Sequence, residues 1–328
     1  MSTITAVRSN NNNNNNSSDK EGGDNRLLVE ELIREHRPLI DQMVATLSSS
    51  SSSSPLYDPA KHDDLWCLRF LLSHKKNLDK AIAAAQTTLA FRREHGLDEW
   101  GDIRGTAPQD ITTTNNNTDD STAGAAWVAW KRFIDSGGVT DRSIVYAVPD
   151  EQRCGVLTFI DIGSMDPHKL AELSVQEWIA ALAYMNEWNY QWCDYLTRKT
   201  GRLTKSVRLV DVGTASLSQI DWQCQMRYTQ AIGTMQDCYP QAVKSIYVCY
   251  APFWVYGPWK AIRPLLPSRV VNKMDFLDPA SSSADNADDR QRLLGVAAGC
   301  AEYLPRRYGG TNDTILGGSG VGTNNSNG

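Results

Sequence analysis

The chain has 328 residues, 41% of them apolar and 22% charged, with a formal net charge of −5 at pH 7. That balance is ordinary for a globular protein and excludes a nucleic-acid binder with a dominantly basic surface. No run of 18 apolar residues is present, so no transmembrane helix is expected, and the first thirty residues lack the apolar stretch of a secretory signal.

Residues 1–24, with a run of asparagines at Asn10–Asn16, read as a disordered tail. From about 25 to 100 the pattern is helical. "LLVEELIREHRPLIDQMVATL" keeps helical periodicity to Leu47, and "DDLWCLRFLLSHKK" continues it through Leu65, Leu68, Leu71 and Leu72. Asn77 is placed to cap "LDKAIAAAQTTLAFRREHG", and Gly96 to stop it. The serine tract at 48–54, the Thr/Asn/Asp stretch at 112–122 and residues 281–289 read as loops.

A second block, about 125–312, alternates strand and helix. Strands are expected at 154–163, 206–213, 243–251 and 270–277. Between the first two lies a long helix, opened by a Ser174/Glu177 capping box and closed by Gly201. A second helix ends before Pro240, a third covers "APFWVYGPWKAIRPLLP" (251–267), and a last one spans about 288–303. Strands separated by helices imply an α/β fold with a mostly parallel sheet. Residues 313–328, rich in Gly, Asn and Ser, read as a second disordered tail.

Signatures of chemistry are sparse. There is no G-x-S-x-G, H-E-x-x-H or P-loop, and no G-x-G-x-x-G follows a strand. The histidines (36, 62, 74, 95, 168) lack metal-ligand spacing, so neither a metal nor a cofactor is expected; His36 and His95, near helix ends, read as surface residues. The seven cysteines are scattered without a C-x-x-C pair and suit reduced thiols in a cytoplasmic protein. Asp161 and Asp211 end strands, where α/β enzymes place acids, but turn caps are the plainer reading because no nucleophile accompanies them.

The 251–267 segment is more informative. On a helix, Val255, Trp259, Ile262 and Leu266 form one stripe, widened by Trp254, Ala261 and Leu265, while Tyr256, Lys260 and Arg263 line the other side. Lys260, Arg263, Arg269 and Lys273 face Asp275 alone, a locally basic and aromatic stretch suited to an anionic surface. On the helix 174–200, Trp178, Leu182, Met185, Trp188 and Trp192 recur at three- and four-residue spacing, as either plain core or a pocket wall.

These residues carry a resemblance to a known family. "LWCLRFLLSHKKNLDKAIAAAQTTLAFRREHG", "VRLVDVGTASLSQ", "YPQAVKSIYVCYAPFWVYGPWKAIRPLLPSRVVNKMDFL" and "LPRRYGGT" resemble, in order, four motifs of CRAL-TRIO proteins. The resemblance spans about 60–312. It implies a helical N-terminal segment packed on a domain that holds a hydrophobic lipid in a cavity beside its sheet. Residues 251–267 would be the gate, meeting acyl chains when closed and membrane when open. The family includes phosphatidylinositol/phosphatidylcholine transfer proteins, so the implied function is binding and transfer of a lipid, phosphatidylinositol or another phospholipid among the candidates, with transient membrane contact and no catalytic residue. Phosphoinositide contacts map to His74, Lys75 and Lys273, with Val270 where the family has threonine and Gln241 where it has glutamate. The choline site maps to Ser206 and Arg208; an arginine that faces the cavity there disfavours choline, and it can equally snorkel outward. Two alternatives stand beside this reading. One is the same fold used as a protein-interaction or GTPase-regulator module, and the other is a hydrolase using Asp161 and Asp211.

Overall fold

The computed structural model describes residues 27–49, 56–104, 124–140, 143–147, 155–266 and 268–277, with 304, 305, 308, 310 and 311 near the C-terminus. Both expected tails, the loops at 112–122 and 281–289, most of the serine tract and the helix expected at about 288–303 lie outside the described residues.

Three helices form the N-terminal part: α1 (Val29–Ser48), α2 (Asp64–Ser73) and α3 (Leu78–Glu94). Each starts or stops where a side chain can satisfy free backbone groups. Asp63 accepts from the Trp66 N–H at 3.1 Å to cap α2, and Asn77 accepts from the Lys80 N–H at 3.0 Å to cap α3. Gly96 follows α3 with φ +61°, a left-handed turn that glycine takes without strain. Along α1, His36, Ile40, Met43 and Leu47 make the buried stripe, meeting Leu68, Leu71, Ala81 and Ala85. His36 therefore belongs to the core and not to the surface, because its position completes that stripe.

The second part contains α4 (Gly124–Phe133), β1 (Ile144–Ala147), β2 (Leu157–Asp161), α5 (Pro167–Leu170), α6 (Val175–Thr200), β3 (Ser206–Asp211), α7 (Trp222–Thr234), β4 (Val243–Cys249), α8 (Tyr256–Ile262), α9 (Ser268–Val271) and β5 (Met274–Leu277). The sheet order is β1-β2-β3-β4-β5, with β2 to β5 parallel and β1 antiparallel at one edge. The capping box at Ser174 and Glu177 and the left-handed Gly201 (φ +65°) bound α6 as the sequence implies. The strand expected to begin at 270 starts at Met274, since Ser268–Val271 forms a helical turn.

Strand parity divides the sheet into two faces. One carries Leu157, Phe159, Leu209, Tyr247 and Cys249, all buried. Tyr308 packs on Phe159 with ring centroids 6.0 Å apart. Gly310 and Leu304 fit closely: a Cβ on Gly310 would stand 1.9 Å from the Leu304 carbonyl oxygen. The other face carries Thr158, Ile160, Arg208, Val210, Ile246, Val248, Met274 and Phe276. Ile160, Arg208, Val210, Met274 and Phe276 on this face are only half-buried.

The two parts are locked together along α6. Arg92 forms a bidentate pair with Glu187 at 2.9 and 3.2 Å. Arg198 reaches Asp63 at 2.6 Å, and Arg69 donates to Thr197 at 3.1 Å. The Val29 N–H donates to the Gly201 carbonyl at 2.9 Å. A cleft of about 200 Å³ at this junction is lined by Arg92, Asp98, Tyr190, Asp194 and Arg198. Arg92 pairs with Asp98 and Arg198 with Asp194 across it, and it is smaller than the roughly 300–1,000 Å³ of a ligand pocket, so it is a seam of the docking surface.

Candidate functional site

The half-buried sheet face is bounded by two elements. On one side α6 presents Asn186, Asn189 and Cys193. Asn189 donates to Ser206 Oγ at 3.1 Å, and Asn186 accepts from Arg208 Nη2 at 2.6 Å. On the β5 side, Trp259 of α8 packs edge-on against Phe276, with centroids 5.4 Å apart, and Tyr256 lies 5.5 Å from the same ring. Ser206 and Arg208 thus point to the space between the sheet, α6 and the segment after β4. The sequence left the direction of Arg208 open, and its bond to Asn186 fixes it on this face.

The segment expected to be one helix over 251–267 is broken. Phe253–Val255 and Arg263–Leu265 are 3-10 turns flanking α8. Pro258 and Pro264 lack the N–H that a continuous helix needs. No residue between Phe253 and Leu266 is buried. Trp254, Val255, Trp259, Ile262 and Leu266 are half-buried, as the stripe implies, while Ala261 and Leu265, which widen it, are exposed. Tyr256, Lys260 and Arg263 are exposed, and Phe253, which the stripe does not single out, is 87% exposed. Its only sequence signal is that it precedes the stripe as an aromatic residue directly after a proline.

The remaining expected cations gather at the corner where β3 and β4 begin. His74 sits at the end of α2, its Nε2 3.5 Å from Asp237, and Lys75 is exposed with φ +53°. Ser73 accepts from the Gln241 N–H at 3.2 Å, which fixes the end of α2 to the turn before β4. Lys273 donates to the Val243 carbonyl at 2.7 Å. Ser206 Oγ donates to the Ala242 carbonyl at 2.9 Å, so the corner adjoins the sheet face. Lys205, which the sequence reading passed over, directly precedes Ser206 at the start of β3. Burial, with Lys273, Arg69 and Lys244 nearby, pushes its ammonium down to about 8.

Trp188 and Trp192 do not join this site. The sheet-facing stripe of α6 is Asn186, Asn189, Cys193 and Thr197; Trp188 lies at least about 100° from each of them, and Trp192 flanks the stripe about 60° beyond Asn189. Trp188 is buried in the core. Trp192 donates its indole N–H to the Arg104 carbonyl at 3.3 Å, and the Arg104 guanidinium lies 4.1 Å from the Tyr195 ring centre. The aromatic periodicity is real but serves other partners: Trp192 meets Arg104, and Trp178 meets Phe133 and Tyr228. Met185 is half-buried against the same core.

Asp161 and Asp211 are turn residues. Asp161 accepts from the Gly163 N–H at 3.0 Å and the Thr214 hydroxyl at 2.8 Å. Asp211 accepts from the Gly213 N–H and the Tyr308 hydroxyl, both at 2.8 Å. The described cysteines (67, 193, 224, 238, 249) are buried free thiols, and burial raises Cys193 to about 11 and Cys67 to about 12. Among the described residues no group of three metal-ligating side chains occurs, and no helix is long and apolar enough to cross a membrane.

In comparisons with known proteins, residues 142–310, half of the chain, match the CRAL/TRIO domain. A solved protein, described as "Crystal structure of Sfh5", is similar at 12% identity with a TM-score of 0.45, over 76% of this chain and 78% of that one. No curated protein matches the chain.

Proposed function

Because the chain belongs to the CRAL/TRIO domain family, we propose that it binds a hydrophobic lipid on the half-buried sheet face and carries it between membranes. One observation supports this most: the face bearing Ile160, Val210, Met274 and Phe276 is only half covered, and α8, which closes it at β5, has no buried residue of its own. Apolar surface left in this state is a binding surface awaiting an apolar partner. A phospholipid carries roughly thirty CH₂ groups at about 0.8 kcal/mol each, so only a cavity as apolar as the bilayer can accept one. In this reading the helical part, about 25–100, and the α/β part, about 125–312, form one lipid-holding unit. Residues 253–266 act as the gate. Phe253, Tyr256 and Leu265 enter the membrane, with Lys260 and Arg263 on its anionic surface. The hydrolase alternative loses its support, since Asp161 and Asp211 are occupied by turn and tyrosine hydrogen bonds.

The test is lipid loading. Delipidated protein mixed with vesicles containing labelled phospholipid is expected to take up about one lipid per chain and release it to acceptor vesicles. No uptake of any lipid, together with an empty organic extract of the purified protein, would overturn the proposal and leave the protein-interaction alternative.

The corner cations support a phosphoinositide as the cargo, with His74, Lys75, Lys205 and Lys273 around its phosphate. This carries a pH dependence. Lys205 is cationic below about 8 and neutral above it. Uptake of labelled phosphatidylinositol is therefore expected to fall severalfold between pH 7 and pH 9, and Lys205→Gln should flatten that fall. In the empty protein the same shift makes stability rise from about pH 8 to 10.5, because the unfolded chain still holds a proton that the folded chain has released. A pH-independent uptake in the wild type would remove Lys205 from the head-group site.

A further inference from the structure

Thr158, Arg208, Ile246 and Met274 form one row across β2, β3, β4 and β5, on the face that α8 covers at its β5 edge. Two polar groups stand in this otherwise apolar row. Thr158 is 1% exposed, and its hydroxyl has no hydrogen-bond partner among the described residues. The Nε of Arg208 is likewise sealed from water and without a partner there. Its Nη2 bonds the neutral Asn186 carboxamide, and no described carboxylate lies within ion-pair distance of the guanidinium. A folded protein seldom leaves a guanidinium N–H and a hydroxyl dry and unpaired, because each such group forfeits its hydration without return. Thr158 and Arg208 are register partners on adjacent strands about 5 Å apart, so both donors belong to one stretch of this face.

We propose that the cargo carries an anionic oxygen group, a carboxylate or a phosphate, that seats between Arg208 and Thr158. This rests on the lipid-binding reading above and names the cargo's chemistry. The planar guanidinium offers paired donors to either anion, and the threonine hydroxyl donates to a third lone pair. Asn186 holds the arginine in place while contributing no charge of its own. Phosphatidylcholine also carries a phosphate, but its trimethylammonium would set a cation beside the buried guanidinium, so zwitterionic choline lipids are selected against. The position is an alternative to the corner lysines for a head-group phosphate, because Arg208 lies two residues farther along β3 than Ser206, which adjoins that corner.

The experiment loads delipidated protein from vesicles of a neutral carrier lipid doped with labelled palmitate, phosphatidate or phosphatidylcholine. Wild type is expected to take up at least one of the two anionic lipids tenfold or more over phosphatidylcholine. Palmitate alone would assign a carboxylate, phosphatidate alone a phosphate, and both would assign an unselective anion site. Arg208→Gln can keep the bond to Asn186 while removing the charge. It is expected to bring that preference close to one with the melting temperature held, and Thr158→Val to reduce it severalfold. Equal uptake of all three lipids by wild type, or an anionic preference that survives in folded Arg208→Gln, would overturn this inference and leave lipid binding intact. Failure of every lipid to load would overturn the lipid-binding reading, and this inference with it.

Discussion

Glu187→Ala should lower the stability of the protein by about 3–5 kcal/mol, the largest single-residue loss expected outside the apolar core. Glu187 is 2% exposed and meets Arg92 through both carboxylate oxygens. Burial alone would push Arg92 below its ordinary range. Glu187, helped by Asp98, outweighs that burial and holds the guanidinium above it. Without the carboxylate, a charge buried at the seam between α3 and α6 keeps only Asp98, 2.7 Å from Nε. On a domain of ordinary stability that loss is a large share of the total, read as a fall of roughly 10 °C in melting temperature. The attribution is checked by a double-mutant cycle. Arg92→Met combined with Glu187→Leu should recover most of the loss, because a well-packed apolar pair replaces an ion pair at little cost. A double variant as unstable as the sum of its singles would mean that the two residues act independently.

That ion pair illustrates what a sequence shows and what it hides. The motif around Arg92 was legible as a pattern, but its partner is 95 residues away. Caps were legible because they are local: Asn77, Ser174 with Glu177, Gly96 and Gly201 each satisfy or release backbone within one turn. The four parallel strands were legible from their apolar runs. The edge strand Ile144–Ala147 was not, since four residues give too short a period to read. In the 251–267 segment the stripe matches the half-burial of Trp254, Val255, Trp259, Ile262 and Leu266 but not the exposure of Ala261 and Leu265. It did not predict the breaks, because periodicity is blind to the missing N–H groups of Pro258 and Pro264. For Arg208 the strand period gives two possible faces and no means of choosing, and only the neighbour on α6 decides. Trp188 and Trp192 show the converse: a correct helical period that serves a different packing partner.

The gate reading makes the last prediction, and the exposure of the segment selects the residue. Trp259 is half-buried against Phe276, so Trp259→Asp would disturb both packing and membrane contact. Phe253 separates the two. At 87% exposure it contributes almost nothing to the fold, and Phe253→Asp should leave the melting temperature within about a degree of wild type. Membrane docking is a different matter. Placing a phenylalanine side chain in an apolar environment is worth about 1.5–3 kcal/mol, and a carboxylate there adds a desolvation cost and is repelled by anionic lipid. A loss of about 2 kcal/mol in the docked state corresponds to roughly thirtyfold slower exchange of labelled lipid between vesicles. The charge of Lys260 and Arg263 predicts the rest of the profile. Exchange should be faster with anionic than with neutral vesicles and slow as salt rises, while Phe253→Asp slows it at every salt concentration. Wild-type exchange rates in Phe253→Asp would place the membrane contact elsewhere on the molecule. A large fall in its melting temperature would mean that Phe253 packs against the fold in solution, and the segment would then be a fixed part of the domain instead of its door.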